Sequence, residues 1–365
     1  MKLKLSPVLF LLILTLFALI TTVFYRNFAG QDPGTRLMQK IEKMEVGKKR
    51  IDEVRKLAEL VGPKRAIELL NASSILKYGE THLLSHAIGE VAYKLYRQEA
   101  LAECAEDYLN GCAHGLILSA ISDVGYEGIS GLVENCKKYP LFKYQMCLHA
   151  AGHSFLAATD YKDLNFALAK CEGLLKSGDE NLLFCYNGVF MENTIGEHNG
   201  ILPEAHPWLK RDDLLFPCNK IERVYLSSCY LNQVNWWTRI LFGNIEKMAS
   251  ICNSKVPAEF RNECANSLAR VVSTLKKNDL GEIEKDCSYL GDQLEPECIK
   301  AIALSAYSIG DESLPFILCR MIDNSNGKES CYEELTVLFS RNEIPEDKRQ
   351  NLCQQFEKEF QYICQ

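Results

Sequence analysis

The most hydrophobic part of the chain is an uncharged run over residues 5–24, which follows two lysines, Lys2 and Lys4. A helix of this length spans the roughly 30 Å hydrocarbon core of a bilayer. The run is longer than a signal-peptide core and ends without a small-x-small cleavage site, which favours an uncleaved signal anchor. The preceding lysines then place residues 1–4 in the cytoplasm and the body outside it. A cleaved signal would instead release a secreted body.

Beyond a short linker at 25–34, apolar residues recur at helical spacing up to the first cysteine. The pattern predicts amphipathic helices over 35–46, 48–61, 63–78 and 81–97. The first two are heavily charged, as is typical of a solvated stalk or a capping segment. We therefore expect residues 35–79 to form such a stalk or cap.

From residue 80 to 365, Ala- and Leu-rich helical stretches alternate with turns. Residues 147–159 have the apolar spacing of a helix, and Asp160 to Asp163 provide turn and N-cap side chains. Residues 164–171 then form a second helical stretch that ends at a cysteine. Each such unit is predicted to be a helical hairpin.

Sixteen cysteines divide this region into nearly equal steps. They form eight couples, and the first cysteines of successive couples lie 32, 35, 47, 34, 35, 32 and 34 residues apart. A period of about 34 residues is that of a two-helix repeat, which predicts an all-α, right-handed α/α solenoid with one disulfide per repeat. Pairing within couples uses every sulfur and is favoured, although the hairpin geometry leaves pairing between adjacent couples open. The favoured pairs are Cys104–Cys112, Cys136–Cys147, Cys171–Cys185, Cys218–Cys229, Cys252–Cys264, Cys287–Cys298, Cys319–Cys331 and Cys353–Cys364.

Composition and charge restrict the compartments in which the protein can reside and the kinds of partner it can bind. Apolar residues make up 47% of the 365 residues, and the formal net charge is −7. This balance excludes a disordered chain and a polytopic membrane protein. Acidity without a long basic run argues against nucleic acid as the main partner. An even, high cysteine count behind an export signal predicts an oxidising compartment.

The cysteine couples, together with the stretches at 101–104 (LAEC) and 167–171 (ALAKC), resemble the Sel1-like, Hcp-type branch of the tetratricopeptide superfamily. The resemblance covers residues 80–364 and is one of architecture. It implies an extracytoplasmic binding scaffold built from disulfide-stapled helical hairpins.

All seven histidines lie between His82 and His206, and several share a position in the repeat. His114 and His149 stand two residues after the second cysteine of their couples, His86 occupies the equivalent place in the preceding unit, and Glu90 and His153 follow one turn later. Equivalent positions of stacked helices line one surface. These five residues are therefore predicted to form a strip suited to a divalent metal such as zinc or iron.

One unit breaks the period, with an inserted loop at 194–217. Insertions in repeat arrays map to loops, often on the binding face. This loop is expected to act as a lid and to contribute to a ligand site. The ligand-binding candidates are Asn187, Glu192, His198, His206 and Trp208.

The sequence leaves three interpretations of the histidines open: helix packing, a ligand- or peptide-binding surface, and a metal or catalytic site. The first functional hypothesis is a scaffold, anchored in the membrane through residues 5–24, that binds a protein, peptide or cell-envelope ligand on its concave face. The alternative is a metal-binding protein or metal-dependent enzyme. The sequence contains no phosphate-binding glycine loop and no His-Glu-x-x-His motif. Whether the protein is an enzyme stays open.

Overall fold

The computed structural model describes residues 32–45, 47–75, 78–104, 111–197, 200–276, 279–308, 311–341 and 344–364. The predicted cytoplasmic stub, the anchor at 5–24 and most of the linker lie outside the described residues, as does His198. The described part of the chain is helical and contains no strand, which confirms the all-α prediction. It divides into two compact units, Met1–Leu116 and Ile117–Gln365.

The first unit holds four complete helices and the start of a fifth. Proline stands in the first turn of α1 and α3, where a missing N–H costs nothing. The predicted helix over 48–61 coincides with α2, but α3 ends at Asn71 instead of continuing to residue 78. Just beyond that end, the Ser73 hydroxyl donates to the Leu70 carbonyl at 2.6 Å. The helices are α1 (Pro33–Glu42), α2 (Lys48–Val61), α3 (Pro63–Asn71), α4 (Tyr78–Tyr96), a 3₁₀ helix (Arg97–Glu103) and the beginning of α5 (Gly111–Cys136).

In the second unit, long and short helices alternate in a repeat-like arrangement, and each long helix packs against the next long one. The long helices are α6 (Leu141–Ala157), α8 (Leu182–Ile195), α9 (Leu226–Ile240), α11 (Arg261–Lys276), α13 (Glu295–Ser308) and α15 (Ser325–Arg341). The short helices are α7 (Leu164–Glu172), α10 (Ile245–Ser254), α12 (Leu280–Ser288), α14 (Leu314–Met321) and α16 (Glu346–Cys353). The described residues of this unit also form 3₁₀ helices at Pro203–Ala205, Arg223–Tyr225, Ala258–Phe260 and Lys358–Cys364.

Among the described residues, only α5 is long and apolar enough to cross a membrane by length and composition. Gly125, at φ +66° and ψ −177°, interrupts it. The segments before and after Gly125 measure roughly 21 and 17 Å at 1.5 Å per residue, and each is shorter than a bilayer core. Cys112 and Cys136 stand near the two ends of α5, and both are in disulfides.

The eight disulfides join cysteines within couples, which confirms the favoured pairing. Four of the eight bonds link the last turn of a short helix to the beginning of the following long helix, as Cys171 of α7 is linked to Cys185 of α8. Fifteen of the cysteines are buried, Cys364 is half-buried, and all sixteen are in disulfides. Loop-closure entropy for segments of this length corresponds to about 3 kcal/mol per bond.

The insertion takes the place of a short helix between α8 and α9. Side chains of α9 donate hydrogen bonds to backbone carbonyls of the insertion and hold it against α9. Trp236 donates to Lys210 at 3.0 Å and Trp237 to Leu214 at 2.6 Å, and Gln233 donates to the carbonyls of Leu214 and Phe216. These bonds hold this part of the insertion against α9, and the expected role of the loop as a lid stays a prediction.

Candidate metal centre

Three imidazoles of the first unit converge on one point. His82 and His86 lie one turn apart on α4, so both rings leave the same face of the helix. Their Nε2 atoms are 3.0 Å apart, and Nδ1 of His114 from α5 lies 3.1 Å from Nε2 of His82. One ring nitrogen from each of the three lies within 4.8 Å of the other two. We call His82, His86 and His114 the histidine triad.

Two glycines bring the triad's helices together. A Cβ atom at Gly89 of α4 would lie 1.9 Å from the Cys112 carbonyl oxygen, and one at Gly115 of α5 would lie 1.9 Å from that of His86. Only glycine permits backbones to approach this closely. The disulfide to Cys112 additionally ties the beginning of α5. The ring positions are thus determined by backbone contacts, which do not depend on flexible side chains.

The triad's spacing and burial fit a transition metal. Two nitrogens that bind one tetrahedral zinc at 2.0–2.1 Å lie about 3.3 Å apart, close to the distances in the triad. His114 is buried, while His82 and His86 are half-buried, so one side of the group is accessible. Because all sixteen cysteines are in disulfides, no thiolate competes as a ligand. Imidazole donors alone suit zinc, copper, nickel or iron.

One predicted metal ligand lies outside the triad, and one residue that the sequence analysis does not include lies in it. Glu90, predicted beside His86, instead accepts two hydrogen bonds from Arg55 of α2, at 2.7 and 3.3 Å. This ion pair raises the pKa of Arg55 and occupies the carboxylate. His82, which was not among the predicted ligands, takes its place. Its position four residues before His86 is a signal that the sequence contains.

A second group lies in the second unit, where α6 carries His149 and His153 one turn apart. Their Nε2 atoms are 3.1 Å apart. Nδ1 of His153 lies 2.8 Å from Oε2 of Glu192 on α8, whose Oε1 accepts from the Tyr161 hydroxyl at 2.7 Å. Nδ1 of His149 faces the Phe184 carbonyl oxygen at 3.3 Å. We call His149 and His153 the histidine pair.

The remaining ligand-binding candidates are spread over the second unit. The His206 ring stacks on Tyr161 with the centroids 3.7 Å apart, and its Nδ1 donates to the Asn193 carbonyl at 2.6 Å. Burial lowers the pKa of His206 below its ordinary value. Asn187 accepts from Asn232 at 3.3 Å.

The indole of Trp208 donates to the Lys162 carbonyl at 3.1 Å, which ties the insertion to the turn before α7. Of the five candidates, Glu192 and His206 thus meet through Tyr161, whereas Asn187 and Trp208 make contacts of their own. Nothing in the sequence pattern around Asp160 to Asp163 points to this role for Tyr161, because those residues are typical of any turn.

Comparison of the chain with protein-family models, with curated proteins and with solved structures found no match. The resemblance to Sel1-like proteins therefore stays a prediction that rests on the cysteine couples.

Proposed function

We propose that the protein binds a divalent transition metal ion through the histidine triad. The observation that carries this proposal is the convergence of three ring nitrogens, from two helices, within 4.8 Å of one another. Histidines that only pack helices together need no such convergence. Here the three rings contact each other in T-shaped pairs, with centroids 4.6 to 5.3 Å apart.

Three protein ligands leave further coordination positions for water or an external ligand. Zinc sites with three protein ligands and an open position are those that do chemistry, whereas structural zinc sites are closed by four. The half-buried rings of His82 and His86 put the open position on the accessible side. We assign metal binding to this group, and the open position is where an exchangeable ligand would bind.

The same proposal includes the setting of the protein. We infer that residues 5–24 anchor it in a membrane with the body outside the cytoplasm, and that the body is a right-handed α/α solenoid with a period of about 34 residues. The apolar run and the cysteine period support this architecture. Eight disulfides favour an oxidising compartment, where zinc and copper sites must rely on imidazole once the thiols are oxidised.

Metal analysis of the full chain, purified in detergent, tests the proposal. After incubation with zinc and removal of free metal, we expect stoichiometric zinc that falls in His82→Gln and His114→Gln. Lys94→Gln is the matched control, since Lys94 lies on the same helix, is exposed and pairs with Glu59. Zinc content equal in the wild type and both histidine variants would refute the triad as the site.

A second function, partner binding, is favoured by exposed apolar residues near the beginning of successive long helices. Leu141 and Phe142 open α6, Leu183 lies in the first turn of α8, and Val224 precedes α9, and all four are exposed. Such residues, when contiguous, mark protein interaction surfaces. Phe142→Ser should then abolish the recovery of a specific envelope partner. Leu275→Ser, an equally apolar change at an exposed position of α11, should not. Equal recovery with both variants would contradict this function.

A further inference from the structure

We infer that the histidine pair of the second unit is a further cation site, which binds a divalent transition metal between the two Nε2 atoms. The inference concerns His149 and His153 and does not depend on the triad. It begins from hydrogen-bond chemistry. A carbonyl oxygen only accepts, so Nδ1 of His149 must carry the proton that faces Phe184.

The tautomer of His153 follows from Glu192. One carboxylate oxygen of Glu192 accepts from the Tyr161 hydroxyl, and the other lies 2.8 Å from Nδ1 of His153. An ionised carboxylate is an acceptor, so this Nδ1 also donates. When neither ring carries a second proton, the lone pair of each ring is on Nε2, and these two atoms face each other at 3.1 Å. Two lone pairs at this distance repel unless a positive charge lies between them.

The contacts behind the pair are those of metal-binding histidines. Such a histidine almost always donates its other ring N–H to a carboxylate or a backbone carbonyl, which orients the ring and raises its basicity. Here one ring has the carboxylate and the other the carbonyl. The side chains of His153 and Glu192 are both largely buried, so little water weakens this contact.

The carboxylate is itself held by a strained turn. Asp160 and Tyr161 have φ angles of +51° and +62°, a left-handed conformation that non-glycine residues rarely adopt. This conformation accompanies a fully buried Tyr161 ring, whose hydroxyl reaches Glu192. His206 stacks on the other side of that ring. Strain of this kind persists where the surrounding structure enforces it, which is common at ligand sites.

The two helices that carry these groups are in backbone contact. A Cβ atom at Gly152 of α6 would lie 2.0 Å from the Cys185 carbonyl oxygen, and one at Gly188 of α8 would lie 2.0 Å from that of His149. Glu192 on α8 is therefore held at a constant distance from His153 on α6.

Cobalt(II) and zinc titrations of the full chain in a His82→Gln/His114→Gln background, which leaves a single triad ligand, test this site separately from the triad. We expect this double variant still to bind cobalt, with a visible spectrum that disappears on adding His149→Gln. Glu192→Gln should weaken binding about 10–100-fold without removing either ligand. Gln145→Ala, on the same helix α6, is the control and should leave the binding curve unchanged.

Two outcomes would overturn the inference. If the double variant binds no metal, or binds it equally well with His149→Gln, the pair holds a shared proton only. If His149→Gln fails to fold, as shown by lost disulfides or circular dichroism, Glu192→Gln decides. An unchanged cobalt affinity in that variant refutes the site, and a 10–100-fold loss supports it.

Discussion

The histidine triad and the histidine pair are built on the same helix contact and differ in what surrounds the position proposed for the metal. In the first unit, Gly89 faces the Cys112 carbonyl and Gly115 faces that of His86. In the second unit, Gly152 and Gly188 repeat this pattern against Cys185 and His149. Both contacts thus involve the second cysteine of a couple and the histidine three residues before a glycine.

The side chains at matching positions differ. His114 in the first unit corresponds to Asn187 in the second, and His82 corresponds to Gln145. The second unit instead supports its pair with Glu192 and Tyr161, whereas Glu90 of the first unit is engaged by Arg55. The triad therefore offers three imidazoles, whereas the pair offers two imidazoles that neighbouring groups orient. The same contact between helices carries both arrangements.

The largest expected effect comes from disturbing the shared contact. Gly115→Ala and Gly152→Ala each force a methyl group into a backbone carbonyl, so we expect the free energy of unfolding to fall by about 3 kcal/mol. Guanidinium unfolding with the disulfides intact measures it. Gly131→Ala is the control, because this helical glycine has open space around it, and the change should stabilise by up to about 1 kcal/mol. Equal stability of Gly115→Ala and this control would contradict the shared contact.

Introducing the first unit's histidines at the matching positions of the second unit tests whether the number of imidazoles distinguishes the two units. Gln145→His combined with Asn187→His should place two more imidazoles beside His149, so zinc should bind the second unit more tightly, because both positions match those of the first unit. Either substitution alone provides the control, since each completes only part of the set. Zinc affinity unchanged in the double variant would show that the two helix pairs are not interchangeable.

The role of the carboxylates should differ between the units by one to two orders of magnitude. Glu192→Gln removes the acceptor that orients His153, so metal affinity of the pair should fall about 10–100-fold. Glu90→Gln breaks only the ion pair with Arg55, and zinc affinity of the triad should stay within about twofold. Isothermal titration of each variant measures both values. A large loss in Glu90→Gln would return Glu90 to the metal site.

The smallest expected effect concerns the insertion. Burial lowers the pKa of His206 from its ordinary value of 6.5, so the unfolded form takes up a proton at a higher pH than the folded form. The contribution to stability is therefore full above pH 6.5 and is lost as the pH falls through the folded pKa. The amide-exchange protection factors of residues 200–217 should decrease over that interval. In His206→Gln the protection factors should lose this pH dependence, and its persistence would assign it to another group.

Particular residues show how far the sequence could predict these sites. Helical spacing alone placed His86 and His153 on helix faces with a neighbour one turn away. The same spacing makes His82 and Glu90 equally good candidates for a metal ligand beside His86, because both lie four residues from it. Arg55, 35 residues before Glu90, decided between them. Tyr161 could not be predicted, since its role follows from a left-handed turn.

The sequence by itself predicted the all-α class and favoured the disulfide pairs that the structure shows, because both depend on local spacing: a helical period and cysteines 8 to 14 residues apart. Tertiary structure decided which side chains meet. The distance between helices depends on where glycines let backbones touch, and the partner of each carboxylate depends on competition between charges far apart in the chain. The triad and the pair exist because of those two effects, which no local pattern contains.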